Sequence, residues 1–133
     1  MAQNTNPIFI LEPTTVLVTV TAATTDRSAT VTGETRTLVT AGANGTKITQ
    51  IGYKCQGNSS SGTVLIFISD NTGQNLRLFD EIQISAVTPS LTTPSGRNVT
   101  IYDDLQIESG QIVVVGATVV STDINIFASK ADY

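Results

Sequence analysis

Short apolar runs alternate with clusters of Gly, Asn, Ser, Thr and Pro along the whole chain, and no window of ten or more residues keeps a helical period. Short runs separated by such residues are typical of antiparallel sheets packed as a sandwich or barrel. We therefore predict an all-β chain folded as an antiparallel β-sandwich, with jelly-roll-like and immunoglobulin-like strand orders both left open. The predicted strands lie near residues 16–21, 36–40, 47–56, 63–69, 76–85, 98–102, 105–108, 111–120 and 123–129.

Within the strands, the alternation of apolar residues predicts shared faces and two irregularities. Asp80 interrupts the apolar series of the strand near 76–85, which indicates a β-bulge or an exposed stretch near 79–81. Ile48 is out of phase with the apolar residues after it, so a second bulge is expected near 49–50. The residues expected to share a face are Val64, Ile66 and Ile68 in one strand, Leu76, Leu78, Ile82 and Ile84 in the next, and Ile51, Tyr53 and Cys55 in a third.

Five segments between the strands have turn or loop composition. Ala41–Thr46 contains Asn44-Gly45 and predicts a tight connection, since both residues tolerate positive φ. Asp70–Gln74 and Ser109-Gly110 predict hairpin turns. Gln56–Gly62 is too polar to fold on its own, and Val87–Gly96 contains two prolines that exclude it from a central strand. Both are expected to be exposed loops.

The N-terminal part of the chain separates into a polar stretch and a compact apolar run, Ile8–Leu11, followed by Glu12-Pro13. Residues 1–13 are either a first edge strand or an arm that adds to the sheet of a neighbouring subunit, and 14–133 form the sandwich. Terminal Tyr133 either packs back on the domain or binds a neighbour. The candidate partner-binding residues are Gln3, Asn4, Asn6, Ile8, Phe9, Ile10 and Leu11.

Length and charge exclude several classes of protein. The chain has 133 residues, which fits one domain. Seven basic residues are scattered among eleven acidic ones, so the positive field that nucleic acids require is missing. No apolar run approaches the 20 or so residues of a transmembrane helix, and no secretory signal is expected because the N-terminus lacks a basic and an apolar region. We expect neither nucleic acid nor membrane as a partner.

Residues that support catalysis are scarce. The sequence has no His, which excludes a Ser-His-Asp triad and removes the commonest zinc ligand. Cys55 is the single cysteine, and its place in an alternating apolar run predicts a small buried hydrophobic residue. A Ser-Lys dyad is compatible with the composition, although no spacing points to one. We expect no enzymatic activity, no cofactor and no metal.

The acidic residues offer only a weak case for a cation site. Asp103-Asp104, with Glu108 and Asp123, is the only acidic concentration, and we predict a solvated turn after Tyr102 there. Calcium requires six or more oxygen ligands, which an Asp-Asp pair does not supply. The run 70–73 (DNTG) lacks the further carboxylates of a calcium loop and is predicted to be a hairpin turn.

Aromatic residues are few. Trp is absent, and most of the seven Phe and Tyr residues fall within apolar strand patterns typical of a core. This weakens carbohydrate binding, which usually relies on aromatic platforms. A glycan-binding module that uses the loops Gln56–Gly62 and Val87–Gly96 stays open as an alternative.

Three segments carry a resemblance to a known group of proteins. The run 38–48 (LVTAGANGTKI), Gly62–Asp70 and Leu76–Pro89 resemble small proteins encoded beside the capsid genes of tailed bacteriophages. The ending Ala131-Asp132-Tyr133 is also similar to theirs. The resemblance covers about residues 35–133. It rests on strands and turns, so no site residues are carried over from it.

The resemblance implies a capsid decoration protein, also called a cement or auxiliary capsid protein. It would be a structural virion protein on the outer capsid surface, made in the bacterial host cytoplasm. Its partners would be the lattice of the major capsid protein and further copies of itself, as a homotrimer. The alternatives are a head-fibre, tail or baseplate accessory protein, or a host-glycan-binding β-sandwich module.

Overall fold

A computed structural model describes residues 12–29 and 33–133, and within them the chain forms eight β-strands. No helix long and apolar enough to cross a membrane occurs among these residues. The strands are β1 (Glu12–Val20), β2 (Arg36–Thr40), β3 (Thr46–Cys55), β4 (Gly62–Ile68), β5 (Arg77–Ile84), β6 (Arg97–Ile107), β7 (Ile112–Ala117) and β8 (Ile124–Asp132).

The strands form two antiparallel four-stranded sheets. Sheet A has the order β1-β8-β3-β6, and sheet B has the order β2-β7-β4-β5. The predicted antiparallel β-sandwich is therefore confirmed. Of the consecutive strand pairs, only β4 and β5 are neighbours in one sheet, so every other connection carries the chain from one sheet to the other.

The inner faces of the two sheets enclose a core of β-branched residues, because Val and Ile suit a pleated surface and alternate to one side of each strand. Tyr53 is the largest fully buried side chain, and its hydroxyl donates to the carbonyl oxygen of Gln83 at 3.1 Å. The buried core residues are Val20, Leu38, Val39, Ile48, Ile51, Tyr53, Cys55, Val64, Ile66, Ile82, Ile84, Ile107, Val113, Val115, Ala117, Ile124, Ile126 and Ala128.

Both predicted bulges are present. In the β4–β5 ladder, Ile66 pairs with Asp80 and Phe67 with Leu78, which leaves Phe79 as the extra residue. In β3, Thr49 is the extra residue relative to β8. The bulge in β5 also overturns one expectation, because it reverses the alternation of that strand. Leu78 is partly exposed, whereas Ile82 and Ile84 lie in the core.

The prediction of two separate strands at 98–102 and 105–108 was wrong. Both belong to β6, in which Ile101 pairs with Gln50 and Leu105 with Ile48. The intervening residues 102–104 form a wide bulge opposite Thr49. The polar pair Asp103-Asp104 suggested a turn, but β3 continues past the bulge and keeps the strand paired on both sides.

The turns lie where the sequence predicts them, but one predicted hairpin turn connects strands that are not paired with each other. Asp70–Gln74 is a hairpin turn, and Ala41–Thr46 is a tight connection closed by Gly45, with a φ of +91°. Ser109-Gly110 is a turn as expected, but it is not a hairpin, because β6 lies in sheet A and β7 in sheet B. A short turn at the end of a sandwich can cross between sheets as readily as it can join neighbours.

Strand ends differ from the prediction at both ends of the described chain. β1 includes Glu12 and Pro13, which pair with Asp132 and Ala131, so no break occurs at that dipeptide. Pro13 is tolerated because β1 is an edge strand of sheet A. β8 continues to Asp132, and β7 ends at Ala117, three residues earlier than predicted.

A second apolar cluster lies on the outer face of sheet B. Leu65, Phe67 and Val114 are buried there, and Ala29 from the β1–β2 connection and Leu76 pack against them. Thr24 fixes this connection, since its amide donates to the carbonyl of Ala117 and its hydroxyl to that of Glu34. The central strands β4 and β7 of sheet B are therefore covered on both faces.

Candidate interaction surface

The predicted partner-binding residues lie outside the described residues. Gln3, Asn4, Asn6 and the run Ile8–Leu11 all precede Glu12, where the described chain begins. Their role stays a prediction, as does the assignment of residues 1–13 to an arm or an edge strand. They lead directly into β1 at the edge of sheet A.

Tyr133 packs back on its own domain. Its amide donates to the carbonyl oxygen of Gly45 at 3.2 Å, and its ring lies beside Gly45. The residue follows β8 directly. Of the two placements left open for this ring, contact with the domain is the one observed.

The outer face of sheet A carries an apolar row that crosses all four strands. Leu17 in β1 pairs with Phe127 in β8, which pairs with Gly52 in β3, which pairs with Val99 in β6. Leu17 is 59% exposed, and Ile101, two residues beyond Val99, is 74% exposed. We call Leu17, Phe127, Gly52 and Val99 the apolar row.

Gly52 allows this row to close over β3. A Cβ atom at this position would lie 2.6 Å from the carbonyl oxygen of Asn98, 2.7 Å from the ring atom Cζ of Phe127 and 2.8 Å from Cγ2 of Val99. Real Cβ contacts are essentially never this short, so the space that a side chain would fill is occupied by the Asn98 backbone and by the side chains of Phe127 and Val99. The Arg97 guanidinium lies 5.9 Å from the centroid of the Phe127 ring, within the range of a cation–π contact.

The rows on either side of the apolar row contain no carboxylate and are polar except at Ile101. One consists of Thr19, Asn125, Lys54 and Arg97, and the other of Thr15, Ser129, Gln50 and Ile101. The face formed by these three rows, which we call the outer face, therefore has two positive charges and no negative one in a chain of net charge −4.

Acidic residues border the outer face at one corner. Asp103 and Asp104 are exposed in the wide bulge of β6, and Asp104 accepts a hydrogen bond from the Gln106 side-chain amide at 2.8 Å. They are solvated, as expected, but in a bulge and not in a turn. Among residues 12–29 and 33–133, no three Asp, Glu, Cys or His side chains are grouped so that they could hold a metal ion.

Cys55 is 1% exposed within the core, which confirms its prediction as a small buried hydrophobic residue. Burial raises the pKa of its thiol above the ordinary value, and the hydroxyl of Ser59 opposes this shift. The protonated thiol is a weak nucleophile.

The Asp70 carboxylate stabilises the turn between β4 and β5. The Asp70 carboxylate accepts hydrogen bonds from the amides of Thr72 and Gln74 and from the side chains of Thr72 and Asn75, which closes the β4–β5 turn. These bonds hold the pKa of Asp70 well below its ordinary value, those from the side chains of Thr72 and Asn75 contributing most.

The Asp80 carboxylate links the two sheets at their β5 and β6 edges. It accepts a hydrogen bond from the Tyr102 hydroxyl at 2.8 Å. Burial, and then the charge and hydrogen bond of Asp80, raise the pKa of Tyr102. The ring of Tyr102 also lies 5.8 Å from that of Phe79, the bulged residue of β5.

The two loops considered for glycan binding meet at one end of the sandwich. The backbones of Ser59 and Val87 exchange two hydrogen bonds, and the Ser59 hydroxyl donates to the carbonyl of Ser85. Neither Gln56–Gly62 nor Val87–Gly96 contains an aromatic residue. The structure brings the loops together without giving them an aromatic platform.

Comparisons with known proteins give a distant likeness among solved structures. No protein-family model matches the chain, and no curated protein matches it. Among solved structures, the chain is similar to one described as the cyanophage Pam1 capsid asymmetric unit, with 13% identity and a TM-score of 0.48. The similarity covers 99% of this chain and 94% of that one. A likeness this distant leaves the function to be argued from the chain's own surfaces.

Sequence reasoning missed the apolar row, although the sequence contains a signal for it. Val16-Leu17-Val18 is apolar on both faces of β1, and Phe127 interrupts the polar face of β8. Continuous apolar runs are typical of strands covered on both sides. The prediction used these runs only to place strands.

Proposed function

We propose that this chain is a structural virion protein that decorates and stabilises a phage capsid shell by binding the lattice of the major capsid protein. The observation that carries the proposal is the partly exposed apolar row on the outer face of sheet A, which indicates that the chain works in an assembly with neighbouring proteins. Contiguous apolar surface on a soluble domain marks a site for a neighbour. The row crosses all four strands of the sheet, and so extended a surface suits a protein partner better than a small ligand.

The strand order supports this proposal at the level of the fold. The first strand lies beside the last in sheet A, and β2-β7-β4-β5 forms the other sheet. We infer that this is the eight-stranded jelly-roll order, which is shared by viral capsid and lectin domains. Because one fold serves many functions, the order agrees with the proposal without deciding it.

The sequence resemblance supports the finer parts of the proposal. It implies a non-enzymatic protein without a cofactor, made in the bacterial host cytoplasm and bound to the outer capsid surface. It also implies self-association as a homotrimer. Sedimentation equilibrium of the purified chain decides the number of copies that associate in solution.

We assign the contact with the shell to residues 1–11. They combine a polar stretch with the apolar run Ile8–Leu11, and they lead into an edge strand of sheet A. An edge strand has unpaired backbone groups along one side, so a segment that extends it is suited to pair with a neighbouring sheet.

Rebinding to particles tests this assignment. Purified chain is added to phage particles that lack it, and the bound fraction is measured by co-sedimentation. The wild-type chain is expected to bind, and deletion of residues 1–11 is expected to abolish binding while the thermal melt stays cooperative. The control Leu91→Ser changes a fully exposed apolar residue in the loop Val87–Gly96 and should bind like the wild type. Equal binding by the deletion variant would contradict the assignment.

A glycan-binding module is the second candidate, favoured by the two loops that meet at Ser59 and Val87. It predicts micromolar binding to a glycan array and loss of that binding on shortening Val87–Gly96. A head-fibre, tail or baseplate accessory protein would bind particles in few copies, so the copy number separates it from a decoration protein.

A further inference from the structure

We propose that the outer face of sheet A docks a second copy of this chain in antiparallel orientation, with Lys54 and Arg97 of one copy opposite Asp103 and Asp104 of the other. The inference deepens the self-association in the proposed function by naming the surface. Its test uses the purified chain alone, so its failure and the failure of particle binding are observed separately.

The two faces of the sandwich differ in how they are covered. Sheet B has its outer cluster of Leu65, Phe67 and Val114 buried beneath Ala29 and Leu76. On sheet A, Phe127 and Val99 are half-buried, and apolar surface is exposed at the edge strands, with Leu17 59% and Ile101 74% exposed. The outer face of sheet A therefore has exposed apolar surface that no described residue of this chain covers.

Charge is distributed along β6 with opposite signs at its two ends. Arg97 begins the strand beside Lys54, whereas Asp103 and Asp104 follow Ile101 in the wide bulge. Arg97 pairs with Lys54, and Asp103 lies in the bulge opposite Thr49, five positions along β3, which is about 17 Å of extended strand. Val99, of the apolar row, and Ile101 lie between the two charged ends.

These charges are available to a partner. The ion pairs found within the described residues join Arg27 to Glu81 and Lys130 to Asp132, so none of the four charges on or beside the outer face is neutralised by one. Lys54 donates only to the carbonyl oxygen of Ser95, at 3.0 Å. Asp103, Asp104 and Arg97 are exposed.

This charge distribution is complementary to itself when two copies stack with their outer faces together, related by a two-fold axis perpendicular to the strands. The basic end of each β6 then faces the acidic end of the other, and the apolar rows meet in the centre. A two-fold axis along the strands would instead place β6 of each copy opposite β1 of the other, whose outer-face residues carry no charge. Contacts of this kind, in which the same patch is used twice, are those of two-fold dimers. The free chain is therefore expected to be a dimer through this face, and the trimer that the resemblance implies would need a second contact on the shell.

Reversal of charge tests the contact. The variant Lys54→Glu/Arg97→Glu makes the charged positions of the face wholly acidic, and Asp103→Lys/Asp104→Lys makes them wholly basic. Each is expected to weaken self-association at least about tenfold, because like charges oppose each other across the contact. An equimolar mixture of the two variants is expected to form a heterodimer. Masses are measured by sedimentation equilibrium and native mass spectrometry, with the wild type up to about 100 µM.

Arg77→Glu is the matched control, since Arg77 is exposed on sheet B, away from the outer face. It should dimerise like the wild type, and thermal melts establish that every variant folds. A monomeric wild type over the whole concentration range would overturn the inference. So would reversed variants that dimerise as tightly as the wild type, or a mixture that contains no heterodimer.

Discussion

At the scale of single residues, one position determines whether the apolar row can form. This position is Gly52: its lack of a side chain lets Phe127 and Val99 close the apolar row across β3. Sequence alone identified the burial of Cys55 but not this role of Gly52. A strand glycine indicates close approach by some group, and only the register across four strands shows which group approaches.

Asp70 is the residue for which we predict a dependence of stability on pH. Its folded pKa is depressed, so its contribution to stability is complete above the pKa of the unfolded chain, near 4. As pH falls below about 4, the unfolded chain takes up the proton first, and the contribution is lost progressively until pH passes the folded pKa.

The substitution Asp70→Asn isolates this effect. The variant is expected to melt at a lower temperature than the wild type at pH 7, since a neutral amide accepts the turn's hydrogen bonds more weakly than a carboxylate. The difference in melting temperature should shrink as pH is lowered from 5 to 2. Because Asp132 has a pKa lowered in the same direction and is unchanged in both proteins, its effect cancels in the comparison. A difference that stays constant with pH would contradict the role of the carboxylate.

At the scale of strands, the sequence predicted most elements and both single-residue bulges. The interruptions of the apolar alternation at Asp80 and Ile48 were enough to predict the bulges, because an extra residue reverses the alternation of all residues after it in the strand. The wide bulge in β6 was not predicted as such. The run 102–104 (YDD) is equally compatible with a turn and with a bulge. Only the pairing of β3 with β6 on both sides of this run shows that it is a bulge.

The β5 and β6 edges are linked by the bond from Tyr102 to Asp80, which gives a prediction for this pair of strands. Tyr102→Phe and Asp80→Ala are each expected to destabilise the fold, and a double-mutant cycle should give a coupling energy of about 1 kcal/mol. Urea denaturation measures the free energy of unfolding of the four proteins. Tyr53→Phe, combined with Asp80→Ala, is the control, since the Tyr53 hydroxyl bonds to Gln83 instead. Coupling near zero for Tyr102 would show that the two edges are held by packing alone.

At the scale of the whole molecule, composition predicted the fold class and could not predict which strands are neighbours. Ser109-Gly110 illustrates the reason, since a two-residue turn was taken for a hairpin and in fact passes between sheets. The outer face of sheet A was missed for the same reason. Leu17, Phe127 and Val99 are far apart in sequence, and the strand order that assembles them is a non-local property.

The whole-molecule prediction concerns abundance in the virion, because a protein that decorates a lattice is present at many equivalent positions. The direct measurement is the amount of this chain relative to the major capsid protein in purified phage particles, by quantitative mass spectrometry. The account predicts a copy number comparable to that of the major capsid protein. A few copies per particle, or none, would contradict it.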